Sequence, residues 1–346
     1  MDKSLSGADT LFVQYDYGEL FESEELLEIC LTGAVRKLFN DRKDDAIYHP
    51  MVLSYTSSNR ERIELKIRVK TRGYFRRDRN NCATPPLWLK FASDDETRDT
   101  LFSGQTKLKL VTACRDEKYV LREYLVYKLY NLITDKSFRV RLVKVCYEDV
   151  ERGKKTQPLF GILLESTAQL ARRNQGQLVK MYKLQPKNTN PRLFLKMAVF
   201  QYFIGNTDWS VQYLHNIRLL NCSSLPGYVA VPYDFDHAGI VDTPYANPAV
   251  ELKLKSVRER RYRGYCVENM EEFEPVWDLF NQLKPRFCEL YTSNPWLEET
   301  YVKRTLKYFD EFYNTLTDSK LRQKTFRYPC DPRGTGNIVI KGLKEK

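Results

Sequence analysis

The sequence lacks several patterns that would identify a common class of protein. It contains no run of about 18 consecutive apolar residues, so it predicts no membrane-spanning helix. The eight cysteines are widely spaced without a Cys-x-x-Cys pair, and only three histidines are present, which argues against a zinc site. No helix-turn-helix, RNP or zinc-finger pattern occurs, so the sequence also argues against nucleic acid as a partner.

Two further absences leave questions open. The first residues, MDKSLSGADTLF, have no apolar signal core, and a secretory protein whose signal had been trimmed would begin in the same way. The localisation is therefore unknown from sequence, as is the oxidation state of the cysteines. The chain carries 56 Lys and Arg against 45 Asp and Glu, a net charge of +11, which favours anionic partners without choosing among them.

The first half of the chain has the patterns expected of a sheet and one helix. Apolar and charged residues alternate in 62–71, 86–91 and 106–112, which predicts successive strands of one antiparallel sheet. Residues 118–133 have helical spacing, and 138–147 and 158–165 return to strand character. A loop rich in arginine follows the first of these strands and contains Gly73.

The second half is mainly helical. Residues 192–205 predict an apolar helix that ends at Gly205. Two short strands, 216–220 and 228–231, flank a turn, and amphipathic helical stretches follow near 269–291 and 297–325.

Polar residues cluster where these elements end, in GNTDWS, HN and YDFDH. Phosphoryl transfer needs one carboxylate near the acceptor hydroxyl, and an amide and a further carboxylate that hold Mg²⁺ against nucleotide phosphates. Asp208, Asn216 and Asp234 supply these groups in that order. Each of them taken alone is typical of a cap or a turn, and their combination is what indicates a site.

The run FQYFIGNTDWSVQYLHNIRLL, followed by VAVPYDFDHAG, resembles the catalytic segment of the HipA-type and CotH-type atypical kinases. The resemblance implies that Asp208 is the catalytic aspartate and that Asn216 and Asp234 bind metal, with Asp236 as an accessory ligand. It also implies that the cofactors are ATP and Mg or Mn.

The upstream half agrees with this resemblance in its order of elements. The segment VKTRGYFRR is similar to the CotH-family loop in which a glycine and nearby arginines approach the phosphates, here Gly73 and Arg72. A phosphate-positioning lysine would pair with Glu123, and Lys90, Lys107 and Lys109 are the candidates. Glu165 falls where the nucleotide hinge would lie.

We therefore predict an α+β, protein-kinase-like fold with a small N-terminal antiparallel β lobe carrying one helix and a larger, mainly helical C-terminal lobe. Residues 1–165 would form the β-rich phosphate side and residues 166–346 the part with the catalytic and metal loops, in one kinase-like domain. Three functions remain: a phosphotransferase acting on an unknown protein or small-molecule acceptor, a pseudokinase-type nucleotide-binding or scaffolding module, and a basic nucleic-acid-binding protein.

Overall fold

The computed structural model describes residues 19–327, apart from residues 93, 266 and 268. The N-terminal segment that bears on a signal peptide therefore lies outside the described residues, as do Cys266 and Cys330. No helix in the described part of the chain is long and apolar enough to cross a membrane.

The first half of the described chain is built from strands with short helices between them. In chain order the elements are β1 (Leu27–Gly33), α1 (Val35–Asn40), β2 (His49–Thr56), β3 (Arg62–Thr71), β4 (Leu87–Phe91), α2 (Asp94–Thr97), β5 (Lys107–Val111), α3 (Glu117–Ile133), β6 (Val140–Asp149), β7 (Lys154–Lys155) and β8 (Leu159–Leu164). The strands predicted at β3, β4, β5, β6 and β8 and the helix predicted at α3 are present close to their predicted bounds.

Within the described residues, seven of these strands close into a mixed β-barrel in the order β1-β2-β3-β4-β5-β8-β6, and β6 returns to β1. The closing pair is parallel, with Leu27 opposite Val143 and Gly33 opposite Asp149, whereas the other pairs are antiparallel. A disulfide between Cys30 and Cys146 joins the two strands of this seam. Alternate side chains fill the barrel with an apolar core that includes Leu31, Leu53, Leu89 and Leu108.

The predicted α+β, protein-kinase-like fold with a small antiparallel N-terminal β lobe and a helical C-terminal lobe is therefore wrong. The physical reason is the parallel contact between β1 and β6, which turns an open sheet into a closed barrel. Alternation of apolar and polar residues identifies a strand and its buried face, but it does not identify the strand that pairs with it. The division of the chain at residue 165 stays a prediction.

The second half adds a small sheet and a set of helices. Its elements are α4 (Thr167–Arg173), β9 (Gly176–Val179), α5 (Pro191–Phe203), β10 (Ile217–Cys222), β11 (Val229–Pro232), α6 (Glu274–Thr292), α7 (Glu299–Thr317) and α8 (Ser319–Phe326). The strands β9, β10 and β11 form an antiparallel sheet with β10 in the middle. One continuous core packs α3, β8, α5, this sheet and α6 to α8 together.

Capping residues set where the two central helices begin. The Asp116 side chain accepts the backbone N–H of Lys118 at the start of α3. The Asn190 side chain accepts the backbone N–H of Leu193 at the start of α5, where Pro191 occupies the first turn. These two helices support the elements that carry the polar cluster.

Candidate functional site

A cleft of about 560 Å³ opens between the loop after β3 and the loops that flank β10 and β11. It brings together most of the residues singled out in the sequence. Its lining includes Arg72, Gly73, Asp208, Asn216, Asp234 and Asp236, together with Arg76, His215 and His237. The cleft is therefore the candidate site, and its walls come from both halves of the chain.

The loop that carries Asp208 is held by backbone geometry at its start. Gly205 has φ +68°, and a Cβ at this position would lie 2.1 Å from the Tyr308 hydroxyl, so only glycine fits. The Asn206 side chain then accepts the backbone N–H of Asp208 at 3.0 Å. This loop therefore places Asp208 at the cleft with little freedom.

Asp208 is held from two sides by neighbours further along the chain. Its Oδ1 lies 3.0 Å from His215 Nε2, and its Oδ2 accepts from Asn216 Nδ2 at 3.0 Å. Two backbone hydrogen bonds between Ser210 and His215, each 3.0 Å, close the intervening turn and bring these partners back to Asp208. The segment between Asp208 and Asn216, which are eight residues apart, thus forms a closed turn.

The surroundings of Asp208 keep its carboxylate ionised. Burial raises the pKa of Asp208, but the hydrogen bond with His215 and the electrostatic influence of His215, His237 and Arg263 outweigh burial, so the pKa is lowered. A carboxylate that stays ionised at neutral pH can accept a proton from an acceptor hydroxyl.

Asp234 follows β11 and stands beside Asn216. The ladder pairs Ile217 with Pro232, and the Tyr233 N–H donates to the Asn216 carbonyl at 3.0 Å, so Asn216 and Asp234 meet at one end of the two strands. Asp234 has φ +65°, and its backbone N–H donates to Tyr127 Oη at 2.8 Å. Among the described residues, no hydrogen bond or ion pair engages the Asp234 carboxylate.

Asp236 belongs to a largely buried ionic cluster at the base of the cleft. The Arg76 guanidinium lies 3.7 Å from Glu123 and 4.0 Å from Asp236, and Tyr245 Oη donates to Asp236 at 3.0 Å. Burial and the charge of Asp236 raise the pKa of Glu123 to about 8. Burial and the charge of Asp234 likewise raise the pKa of Asp236. The structure thus pairs Glu123 with Arg76 rather than with a lysine.

Three cations converge beside Asp234. Lys109 Nζ lies 4.3 Å and the Arg218 guanidinium carbon 4.4 Å from the centre of the Tyr233 ring. Burial lowers the pKa of Lys109 to about 7, with the nearby charges of Arg72 and Arg218 acting in the same direction and Asp234 opposing them. A buried lysine with two partly exposed arginines of like charge around it is an arrangement that an anion would stabilise.

None of the three candidate lysines is part of the cleft lining, and two of them, Lys107 and Lys90, are held by aromatic rings elsewhere. Lys107 Nζ stands 4.0 Å from the centre of the Trp88 ring, and Lys90 Nζ lies 5.8 Å from the Tyr48 ring. Both side chains project from the outer face of the barrel. Of the three lysines proposed from sequence, Lys109 alone is buried.

Glu165 is enclosed in a separate ion pair. Its two carboxylate oxygens each accept from the Arg173 guanidinium at 3.0 Å, and one also accepts the Arg139 N–H at 3.0 Å. The side chain is fully buried. These contacts anchor β8 to α4, and the hinge role expected for Glu165 stays a prediction.

Sequence reasoning missed Arg218, Arg76 and Tyr127 as parts of the site. Arg218 lies near the start of β10, two residues after Asn216, but Asn216 precedes the strand with φ +52°, so strand alternation does not link the two side chains. Arg76 lies inside the arginine-rich segment, but nothing in that segment indicates which arginine turns inward. Tyr127 has the spacing of an ordinary core residue in α3.

The residues present are compatible with one divalent cation held jointly with a ligand. In the described ranges, no three His, Cys, Asp or Glu side chains are grouped to hold a metal. Mg²⁺, however, is usually held by one or two protein carboxylates with substrate phosphates and water completing its shell. The Asp234 carboxylate has no partner among the described residues, and Asn216 commits its amide nitrogen to Asp208, which leaves its oxygen as a ligand.

Comparison with known proteins gives distant likenesses. No protein-family model and no curated protein sequence matches the chain. Among solved structures, the proinflammatory kinase CtkA of Helicobacter pylori is 12% identical and has a TM-score of 0.40, with 70% of this chain and 95% of that chain covered. The aerobactin synthetase IucC of Klebsiella pneumoniae is 14% identical and has a TM-score of 0.24. That match covers 70% of this chain and 49% of the synthetase chain. Likenesses this distant do not assign a family, and the site must be judged from its own residues.

Proposed function

We propose that the chain is an ATP-dependent phosphotransferase that uses Mg or Mn. One observation carries the proposal: Arg72 lines the same cleft as Asp208, Asn216 and Asp234, and the buried Lys109 interacts with the charges of Arg72, Arg218 and Asp234. Cations that neutralise phosphate oxygens, next to a carboxylate and an amide that hold a divalent cation, are the parts that phosphoryl transfer requires. The resemblance to CotH-type and HipA-type kinases implies the same roles for Asp208, Asn216 and Asp234, and it includes Arg72 and Lys109 among the candidates for contact with phosphate.

Each part of the reaction has a residue of this chain assigned to it. Asp234 and the Asn216 amide oxygen would hold Mg or Mn, and the ion would supply positive charge that neutralises the phosphates. Lys109 and Arg72 from the barrel side, and Arg218 from β10, would bind and orient the phosphates. Asp208, kept ionised by its neighbours, would accept the proton of the acceptor hydroxyl.

A second candidate is a nucleotide-binding module without turnover. The observation that favours it is that both carboxylate oxygens of Asp208 are engaged, one near His215 Nε2 and one by Asn216 Nδ2. A catalytic base must accept a new proton, and these contacts compete with that role. The nucleotide and metal part of the site would be the same in both candidates.

Thermal unfolding with ATP and either Mn²⁺ or Mg²⁺ tests the nucleotide site. Ligand at about 100 times its Kd stabilises a fold by about 2.7 kcal/mol, so a rise in Tm of about 5 °C is expected. Asp234→Ala should abolish the rise. The matched control is Asp310→Ala, because Asp310 is an exposed acid paired with Lys284 far from the cleft. An unchanged melting curve of the wild type with both metals would overturn the proposal.

Turnover separates the two candidates. Asp208→Ala should keep the nucleotide-dependent rise in Tm and lose ATP hydrolysis or autophosphorylation. A wild type that shows the rise in Tm but no transfer of phosphate to water, to itself or to a panel of acceptors would favour the binding module.

A further inference from the structure

The outer face of β3, β4 and β5 carries a continuous group of cations. We call this group the basic face; its members are Lys66, Arg68, Lys70 and Arg72 along and just after β3, Lys90 on β4 and Lys107 on β5. Cross-strand register places Arg68 opposite Lys90 and Lys90 opposite Lys107, so these three form a row across three strands. The side chains between them along β3 point into the barrel core.

The basic face has no acidic counterpart. In the described part of the chain, none of its six side chains lies within ion-pair distance of an Asp or Glu, although such pairs occur at many other places on the surface. Burial lowers the pKa of Lys107, and the charges of Lys70, Arg72 and Lys90 lower it further. Like charges held on a rigid sheet repel one another and destabilise the folded state unless a ligand neutralises them.

The two aromatic rings on this face are already covered by cations. The Trp88 ring has Lys107 at 4.0 Å and Arg72 at 5.1 Å from its centre. The Tyr48 ring has Lys70 at 5.2 Å and Lys90 at 5.8 Å. A surface for single-stranded nucleic acid needs open aromatic rings on which bases stack. These rings instead position cations, which favours a ligand recognised by charge.

The spacing of the cations along β3 matches an extended polypeptide. Alternate residues of a strand are about 6.8 Å apart, twice the rise of about 3.4 Å per residue. An extended peptide with acidic residues at alternate positions repeats its negative charge at the same interval. β3 is paired on both sides, by β2 and β4, so a ligand meets its side chains and not its backbone.

One end of the basic face reaches the cleft. Arg72, the last cation of the row along β3, lines the cleft together with Asp208 and Asp234. A chain lying along Lys66, Arg68 and Lys70 would therefore arrive at the candidate site. No described acid on the sheet interrupts this path, since Glu64 lies at the opposite end of β3 and pairs with Arg62.

We propose that the basic face binds an extended acidic polypeptide segment with Asp or Glu at alternate positions. That this segment belongs to the phosphate acceptor rests on the proposed function. The binding itself does not depend on nucleotide.

Fluorescence anisotropy with a labelled peptide of alternating Glu and Ser tests the binding. The variant Lys66→Gln/Arg68→Gln/Lys70→Gln should bind the peptide about tenfold more weakly, because it loses three exposed charge contacts that each contribute modestly. The matched control, Lys303→Gln/Lys307→Gln/Lys320→Gln, removes the same charge from exposed positions of α7 and α8 and should bind like the wild type. A peptide with Gln in place of Glu should not bind, and melting curves confirm that each variant is folded.

Other outcomes overturn the inference. Equal binding by the wild type and the β3 variant would do so, as would equal weakening in the control variant. Tighter binding of single-stranded DNA or of anionic phospholipid vesicles than of the acidic peptide, lost in the β3 variant, would assign the face to that ligand instead. The β3 variant should keep the nucleotide-dependent rise in Tm. If the wild type binds the peptide but shows no nucleotide-dependent rise in Tm, the proposed function is refuted and the binding of acidic peptide by the basic face still holds.

Discussion

Replacement of Lys109 by methionine should stabilise the protein while it removes nucleotide binding. Lys109 is 9% exposed, and its pKa falls from 10.5 to about 7, chiefly because burial disfavours the charged form. One pKa unit corresponds to about 1.36 kcal/mol, so the protonated lysine costs the fold about 5 kcal/mol well below pH 7, and about 4 kcal/mol at pH 7, where it is half protonated. Methionine has a similar length, fills the same space and carries no charge.

The sign of the effect follows from proton binding. The folded pKa lies below the unfolded value, so between pH 7 and 10.5 the unfolded chain binds more protons and wild-type stability rises with pH. The difference between Lys109→Met and wild type should therefore be largest at pH 7 and below, and should shrink toward pH 10. At about 2 °C per kcal/mol for a chain of this size, the Tm of the variant should rise by about 8 °C at pH 7.

Two assays on the same variant check this reasoning. Thermal or denaturant unfolding at pH 7 and pH 10 measures the stability difference, and the melting shift with ATP and Mn²⁺ measures nucleotide binding. The variant should gain stability and lose the nucleotide shift. Two results would refute this reasoning: a lower Tm of the variant than of the wild type at pH 7, or a stability gain that is the same at both pH values. Either would show that the buried charge of Lys109 does not destabilise the fold.

Three other perturbations probe the site and the barrel. His215→Ala should raise the pKa of Asp208, because the histidine hydrogen bond lowers it, and should move the acidic limb of the phosphotransfer pH–rate profile to higher pH, whereas His215→Gln should move it less. Loss of the Cys30–Cys146 disulfide through a double serine variant should lower the free energy of unfolding by about 5 kcal/mol by the loop-entropy relation, since it closes a loop of 116 residues, and urea unfolding with and without reductant measures this. Gly205→Ala should cost at least about 2 kcal/mol and reduce activity, because the added carbon meets the tyrosine hydroxyl that packs there; wild-type stability in this variant would contradict the geometry.

The strands that face solvent on one side could be predicted from sequence. In Arg62–Thr71, charged side chains alternate with apolar ones that enter the barrel, so the periodicity and the structure agree. The strand His49–Thr56 was not predicted, because Ser54 is buried and Pro50 is exposed, and the pattern is irregular. The contact that closes the barrel joins strands more than 100 residues apart, and no local pattern encodes it.

The candidate site was predictable where a polar residue follows the end of an element. Asp208 follows α5, Asn216 precedes β10 and Asp234 follows β11. All three line one cleft. The choice among the lysines was not predictable, because Lys107 and Lys109 share the outward face of one strand. Tyr233, from a distant part of the chain, covers Lys109, and the charge of Arg218 acts on it. Lys107 is less buried, so only the tertiary fold distinguishes the two lysines.

The order of the barrel strands has a consequence for co-translational folding. β1 pairs with β6, and β5 pairs with β8, and both partners are synthesised later than β1 to β5. The barrel therefore cannot close before Leu164 has left the ribosome. Until then the first five strands form a sheet with two open edges, which is the state most exposed to wrong pairing. Arg72 and Lys109 are synthesised early, yet they acquire their final surroundings only after Arg218 and Asp234 have followed. We expect the nascent chain to depend on chaperones through this interval, and a fragment ending before residue 164 to aggregate rather than fold.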